Sequence, residues 1–559
     1  MESLGEETWD AVICGTGLQQ SLLALALSRS KKRILHLDPN DYYGEHEAAF
    51  SLQEAETWAN AHAGPGTTRP VKTTEDLPAV EEPKQQQGDS EHRDVIDERE
   101  RPGPSDIEAG PDTSSSSNET PSTRRSQIFR QASVWQHPDA TARGLAFPRA
   151  YTLALAPQII HTRSKLLTQL VSSRAYRQVE FLSVGSYFVY NATGTGSDSK
   201  LARIPSSRED VFSTQSIPLR AKRSLMKFLK FVVDYEYEEQ KLIWQEQADI
   251  PLVDFLTNEF KLDEDLQKYI LALTLTLDGK VTVKDGLAII HRHLTSMNLF
   301  GPGFCAVYPK WGGSSEIAQV ACRAGAVGGG IYMLDTRMEI DEDAEGDEIS
   351  ITLSDGVKIH TRSLILSQQD PAEDGECIMR LVAVVNSPLK SLFEIVLEGA
   401  PTPAVAVIAF PSNSFPDIGA DGSNNPVYAF VHSSDTGECP VGQSVVYLTT
   451  LATPQAEQKL NAALDALLGA VSPAGETPTC LYRLQYEQTV TSREALTSTR
   501  GEAPVFELPS PNLSLSFNDT PLDAVKAAWK LIMRDDTSYE AEAGYMIFQD
   551  REGMDDHDE

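Results

Sequence analysis

The segment from Trp9 to Gly44, WDAVICGTGLQQSLLALALSRSKKRILHLDPNDYYG, constrains the fold more than any other part of the chain. Ala11-Val12-Ile13-Cys14 is a short apolar run of strand type. Gly15-Thr16-Gly17 follows it as a tight turn, opening a helix whose apolar positions continue through Leu27. Ile34-Leu35-His36-Leu37 reads as a second strand ending in an acid, Asp38. This is the layout of a dinucleotide-binding strand-helix-strand unit. In such a unit two glycines let backbone amides approach a pyrophosphate, a third small residue lets the helix pack on the strand, and the acid binds a ribose hydroxyl. Gly15, Gly17 and Asp38 fill their places, but the third small position holds Gln20, whose side chain takes up space a phosphate would use. The topology is expected to survive without a bound cofactor.

A chain of 559 residues is too long for one compact core, so two domains plus unstructured segments are expected. From about Ala55 to Arg143 the sequence turns to Pro, Gly, Ser, Gln, Glu and Asp, with apolar residues too sparse to offset ordering entropy. It reads as a disordered insertion within a domain, because strand-forming sequence resumes near Arg149. Tyr151 to Leu155 reads as a strand, Ser164 to Ser173 as a helix, and Phe181 to Val184 with Tyr187 to Tyr190 as a hairpin. Leu225, Phe228, Leu229 and Val232 share one helical face; Leu262, Leu266, Tyr269, Ile270, Leu273 and Leu277 share another. Apolar stripes of this kind bury against each other, which predicts a small helical domain. Beyond it, Tyr308 to Gly313 forms a turn, Ser314 is a candidate helix cap, and Gly325 suits that helix's end. The expected organisation is a large mixed α/β domain of FAD/NAD(P)-binding, Rossmann type in three parts (1–54, 146–216 and 284–534). An insertion at 55–145, a helical domain at 217–283 and a frayed acidic tail at 535–559 complete it.

The formal net charge of -33 argues against nucleic acid as a partner, since phosphate binding draws on clustered Lys and Arg. It fits attraction of basic peptide segments, or simply solubility. No apolar run is long enough to span a membrane, and MESLGEETWD lacks the apolar stretch of a secretory signal. Six cysteines without CxxC spacing read as reduced thiols of a cytosolic protein, with no metal expected. His291 and His293 lie two apart, on different sides of a helix, which disfavours a metal shared between them. No GxSxG, HExxH or P-loop pattern is present, and no catalytic set is apparent.

Together, WDAVICGTGLQQSLLALALSRSKKRILHLDPNDYYG and YPKWGGSSEIAQVACRAGAVGGGIYML resemble the superfamily of Rab GDP-dissociation inhibitors and Rab escort proteins, which shares its fold with amine oxidases and desaturases. KRSLMKFLKFVVDYE and the long insertion after YYG look like the escort branch, component A of Rab geranylgeranyltransferase, in a divergent fungal form. The resemblance implies a binding protein without bond-making chemistry. It would hold GDP-bound Rab GTPases, present their C-terminal cysteines to the catalytic heterodimer, shield the geranylgeranyl lipid, and touch membranes only transiently from the cytosol. It also implies Rab-binding roles for Tyr43 and for Asp285, where the family carries Glu; Arg292, two turns later on the same helical face, is a further candidate to pair a Rab acid. Prenyl or transferase contacts would come from the helical domain, with Leu225, Phe228, Leu266 and Ile270 as candidates. A packed Tyr43 and a solvated Arg292 are the plainer alternatives. Two other functions remain open, a Rab GDP-dissociation inhibitor and an FAD-dependent oxidase or desaturase.

Overall fold

Parallel strands cannot be joined by a tight turn, so the first sheet depends on the crossover helix that Gly15-Thr16-Gly17 opens. In the computed structural model, β1 (Ala11–Cys14) pairs in parallel with β2 (Ile34–Leu37), Ala11 opposite Ile34 and Cys14 opposite Leu37, and α1 (Leu18–Leu27) connects them. The structure describes residues 4–5, 8–64, 128–192, 200–205, 211, 218–341, 347–368, 376–395, 397–416, 418, 425–472, 477–489, 494–510, 513–534 and 544–549. Among these, β1 and β2 sit in a six-stranded sheet of order β10 (Ile331–Met333), β2, β1, β14 (Leu364–Ser367), β21 (Ala503–Leu508), β20 (Leu496–Arg500). All ten residues of α1 are buried. A helix buried on every side must be covered on every side, and α9 (Ser314–Val327) and α11 (Thr520–Met533) pack against it. Gly325 makes the α1–α9 approach possible, since a Cβ there would lie 3.2 Å from the Ala24 methyl. It is thus an interior packing residue and not the helix end, which falls at Gly328. Ser314 is likewise no cap: Gly313, with φ of 67°, holds the N-cap, and the Ser314 hydroxyl is buried without a hydrogen-bond partner.

The second layer is a ten-stranded sheet of order β4 (Phe129–Gln136), β19 (Cys480–Thr489), β15 (Cys377–Val385), β18 (Ser444–Leu451), β17 (Val427–Ser433), β16 (Val405–Phe410), β7 (Phe181–Tyr190), β9 (Ala306–Pro309), β6 (Ile160–His161), with β8 (Leu201–Arg203) on β7. β15 and β18 are almost wholly buried because both sheet faces are covered. One face meets the main core; the other is packed by α10 (Ala456–Ala470). A small sheet of β11 (Met338–Ile340), β12 (Ile349–Leu353) and β13 (Lys358–Thr361) and the pair β3 (Ala49–Phe50) with β5 (Leu153–Ala154) complete the strands described. β5 is therefore shorter than the strand expected over Tyr151 to Leu155. The hairpin expected within Phe181 to Tyr190 is instead one strand, bent at Ser186 (φ 52°), whose first half pairs with β9 and whose second half pairs with β8 and β16.

The insertion is ordered at both of its ends. α2 (Leu52–Ala61) runs through residues assigned to it, held by a capping box between Ser51 and Glu54, and β4 takes the sheet edge after it. The Ala132 amide donates to the His62 carbonyl at 3.1 Å, and Trp58 meets Phe129 edge to face at 5.1 Å. Residues 65–127 of the expected insertion lie outside the described residues. The tail is also partly anchored: Tyr545, Met546 and Phe548 are buried against the α1–α11 core, and 535–543 and 550–559 are outside the description.

The helical cluster comprises α4 (Leu219–Val233), α6 (Leu252–Phe260) and α7 (Glu264–Thr274), and it does not stop at 283. α8 (Val283–Ser296) contributes Val283, Leu287 and Ile290 to the same core, whereas Leu273 in the last turn of α7 and Leu275 and Leu277 just after it belong to the sheet's core. α3 (Lys165–Ser172) is capped by Ser164, whose hydroxyl accepts from the Leu166 amide at 3.2 Å. α5 (Glu238–Trp244) buries no residue, so no apolar face marks it in the sequence.

Candidate functional site: a closed glycine turn beneath an exposed tyrosine

Gly15 (φ 95°) turns the chain after β1, and its amide donates to the Leu37 carbonyl at 2.7 Å, fastening the turn to the end of β2. Asp38 is fully buried. Its Oδ2 accepts from the Thr16 amide (2.7 Å) and hydroxyl (2.6 Å), and its Oδ1 accepts from the Asn40 backbone amide (2.8 Å) and side chain (3.0 Å). Burial still pushes the Asp38 carboxyl up, with these hydrogen bonds pulling against it. The acid that would hold a ribose is thus spent on the turn itself. Thr16 passes the contact on, its hydroxyl accepting from the Gly44 amide at 3.0 Å.

Gly44 (φ 102°) then reverses the chain, and the short turn Glu45–Glu47 brings two carboxylates back over the glycines. A Cβ on Gly17 would lie 2.9 Å from Glu45 Oε2, 3.0 Å from Gln20 Oε1 and 3.4 Å from Glu47 Oε2. The Ser367 hydroxyl donates to Glu45 at 3.3 Å and accepts from the Gln20 side-chain amide, while the Leu18 amide at the start of α1 donates to Glu47 Oε2 at 3.3 Å. A helix N-terminus favours an anion, and here the chain supplies its own. Only about 10 Å³ of room is left beside Gly17, Gln20, Glu45, Glu47 and Ser367, the size of one water at most. Burial, then the neighbouring Asp38 and Glu47 charges, pushes Glu45 well up; burial alone lifts Glu47 to about 7. The residues present do not fit a flavin or nicotinamide pyrophosphate, which would have to displace two buried acids and bring more negative charge to them.

Tyr43 stands just before this reversal. Its ring is partly exposed and lies 6.4 Å from Tyr332 of β10, while Tyr42 packs edge to face on Phe50 at 4.9 Å. The turn after β9 is clamped from within. The Tyr308 hydroxyl donates to Glu438 at 2.7 Å, Tyr447 donates to the same carboxylate at 2.9 Å, and His432 Nδ1 meets it at 2.7 Å, all four side chains being buried. Beside this clamp Trp311, whose amide donates to the Thr436 carbonyl at 2.9 Å, sits at φ 69° with its ring half exposed (49%) and Lys310 Nζ 5.1 Å above it. Sequence reading used this turn only as a motif; the large exposed ring on a strained backbone marks Trp311 as a second contact candidate.

The other expected contact residues are placed differently. Asp285 is exposed at the start of α8, where its carboxylate accepts from the Thr282 hydroxyl at 2.9 Å. Arg292 is engaged internally, donating to the Phe517 carbonyl at 3.0 Å and to Asp519 at 3.3 Å. The described contacts of Tyr43 and of Arg292 share no residue. Leu225, Phe228, Leu266 and Ile270 form the helical cluster's own interior and present no face to a partner. The large apolar side chains exposed on α4, α5 and the link between them are, among the described residues, Leu219 (73%), Val233 (48%), Tyr237 (68%), Leu242 (82%) and Ile243 (39%).

With this geometry in place, the GDP dissociation inhibitor family model matches residues 5–69 and 116–472. The chain belongs to the GDP dissociation inhibitor family. The break in the family match falls inside the insertion, and its two flanks are the α2 and β4 sides described above. Among family relatives, the chain is 27% identical to the Rab proteins geranylgeranyltransferase component A of Saccharomyces cerevisiae over 82% of its length and 64% of the relative's. It is 26% identical to the Candida albicans protein of the same name, over 79% and 59%. The chain thus spans under two thirds of the length of these two relatives. Rab escort protein 1 of Arabidopsis thaliana matches at 26% identity over 95% of this chain and 93% of that one. The solved structure of Rab GDI from Plasmodium falciparum superimposes with a TM-score of 0.58 at 16% identity, covering 94% and 98% of the two chains. The mixed α/β, FAD/NAD(P)-binding-like fold expected from Trp9 to Gly44 is the fold found.

Proposed function

We propose that this protein is a Rab escort protein, a non-catalytic partner that binds GDP-bound Rab GTPases and presents them to the catalytic heterodimer of Rab geranylgeranyltransferase. It would then carry the prenylated Rab through the cytosol to membranes. The observation that supports this most is the glycine turn closed by Glu45 and Glu47: an old nucleotide frame no longer has room for a nucleotide, yet the same hydrogen-bonded chain, Asp38 to Thr16 to Gly44, still holds Tyr43 at the surface. A tyrosine held in this way offers a flat apolar face and a hydroxyl to a partner loop. The relatives named component A and Rab escort protein favour the escort role over the GDP-dissociation inhibitor.

A geranylgeranyl chain in water is disfavoured by about 0.8 kcal/mol per CH₂, so a carrier must cover it. Leu219, Val233, Tyr237, Leu242 and Ile243 are exposed apolar side chains that the helical cluster would offer to lipid or transferase. The charge of -33 suits capture of flexible, basic Rab tails.

The deciding experiment is reconstituted prenylation. Rab, catalytic heterodimer and geranylgeranyl diphosphate should yield prenylated Rab only when this chain is added. Transfer that proceeds equally without it sinks the proposal. Binding of prenylated Rab but not of the heterodimer would instead assign the inhibitor role.

A further inference from the structure

Three buried side chains from separate elements converge where α8 crosses the ten-stranded sheet: His161 of β6, His293 of α8, and Cys305 just before β9. One potential donor atom from each lies within 4.8 Å of the other two. Cys305 Sγ is 3.5 Å from His293 Nδ1 and 3.7 Å from the Tyr187 hydroxyl. Ligand atoms around a tetrahedral zinc with bonds of about 2.0–2.3 Å are separated by about 3.3–3.8 Å, so closing the set needs shifts of about an ångström. The backbone that carries the set is already fixed. His161 pairs with Ala306 in the sheet, the Thr162 amide donates to the Cys305 carbonyl at 3.0 Å, and the Thr162 hydroxyl donates to the Ser296 carbonyl at the end of α8 at 2.6 Å.

The second observation is electrostatic. His161 is 2% exposed, and neither of its ring nitrogens has a hydrogen-bond partner. A buried unpaired polar group costs about 1–3 kcal/mol, and two on one ring call for an occupant. A cleft with about 40 Å³ of room is lined by Tyr187, His293, Phe304 and Cys305, larger than the ~10–15 Å³ one water needs. Scattered cysteines gave no zinc spacing because these ligands are brought together only by the β6–β9 pairing and the α8 crossing.

We propose that His161, His293 and Cys305 bind one zinc ion, with the fourth position open to this cleft and filled by water. Binding replaces the Cys305 thiol proton, which leaves to solvent, and no other bond changes. The ion would pin α8, and through Val283, Leu287 and Ile290 the helical cluster, to β6 and β9. This inference stands independently of the Rab-binding role.

The test is titration of chelator-stripped full-length protein with Co²⁺ as a spectroscopic substitute for Zn²⁺. One equivalent should bring up visible tetrahedral bands and a near-ultraviolet thiolate-to-cobalt band, both erased by Zn²⁺, and Zn²⁺ should raise the melting temperature. Cys305→Ser should lose the thiolate band, whereas Cys377→Ser should keep it. Should Cys305→Ser fail to fold, zinc-edge X-ray absorption on the unaltered protein decides the matter through one sulfur neighbour at about 2.3 Å and two nitrogens at about 2.0–2.1 Å. Absence of saturable one-equivalent binding, bands that persist in Cys305→Ser, or a sulfur-free zinc shell overturns the proposal.

Discussion

Thr16 shows how a single hydroxyl can serve both stability and the contact surface. Replacing it with Val should orphan one Asp38 lone pair and the Gly44 amide, at about 1–3 kcal/mol for each buried group; urea denaturation reads this directly. Tyr43→Ala should leave stability nearly unchanged and weaken Rab binding by ~1–3 kcal/mol, as loss of an interface anchor does, measured by calorimetry against GDP-loaded Rab. Unaltered affinity in a folded variant removes Tyr43 from the contact. Glu47 gives a pH signature. Its carboxyl rises from 4.5 when free to about 7 when folded, so the folded state holds the extra proton between those values. The stability this contributes is complete below 4.5 and is lost as pH rises through about 7. Glu47→Gln should therefore flatten the fall in melting temperature across that window relative to the parent chain. Tyr43 and Asp38 were legible in the sequence because they sit at motif positions. Glu45 and Glu47 were not, since only the reversal at Gly44 aims them back over the glycines.

The elements the sequence revealed were those with a repeating apolar face: α4, α7, α8 and α9 all follow helical spacing and all bury it. Those it concealed lack such a signal or take their character from neighbours. α5 buries nothing, and β7 continues through a Gly-Ser pair, bending at Ser186, because β9 pairs with its first half and β8 and β16 with its second. Arg292 illustrates how an element changes a residue's meaning. Its spacing from Asp285 suggested a partner's carboxylate, but α8 lies against the segment after β21 and the guanidinium is tied to Phe517 and Asp519. Arg292→Ala should accordingly cost about 1–3 kcal/mol in stability, with Rab affinity changed little once both proteins are folded. Phe228→Ala, at the centre of the helical cluster, should cost about 3–5 kcal/mol, read by thermal or chemical unfolding.

At the scale of the whole molecule, the charge of -33 predicts association with basic Rab tails that slows as salt rises. Stopped-flow rates should fall as ionic strength goes from about 0.01 to about 1 M, where the Debye length shrinks from about 30 to about 3 Å; salt-independent rates would assign the charge to solubility alone. The parallel unit at Trp9 to Gly44 and the amphipathic helices of the helical cluster were legible, because they leave different periodicities. Where the helical part joins the sheet was not, since α8 serves both. The contact between α2 and β4 has a practical consequence. His62, Trp58, Phe129 and Ala132 bring the two described flanks of the insertion together as a gate between the end of α2 and the start of β4. Closure entropy grows only with the logarithm of length, which makes that gate a splice port: a short linker or a fluorescent reporter domain exchanged for the insertion there should leave the sheets, and Tyr43 beside them, as they are.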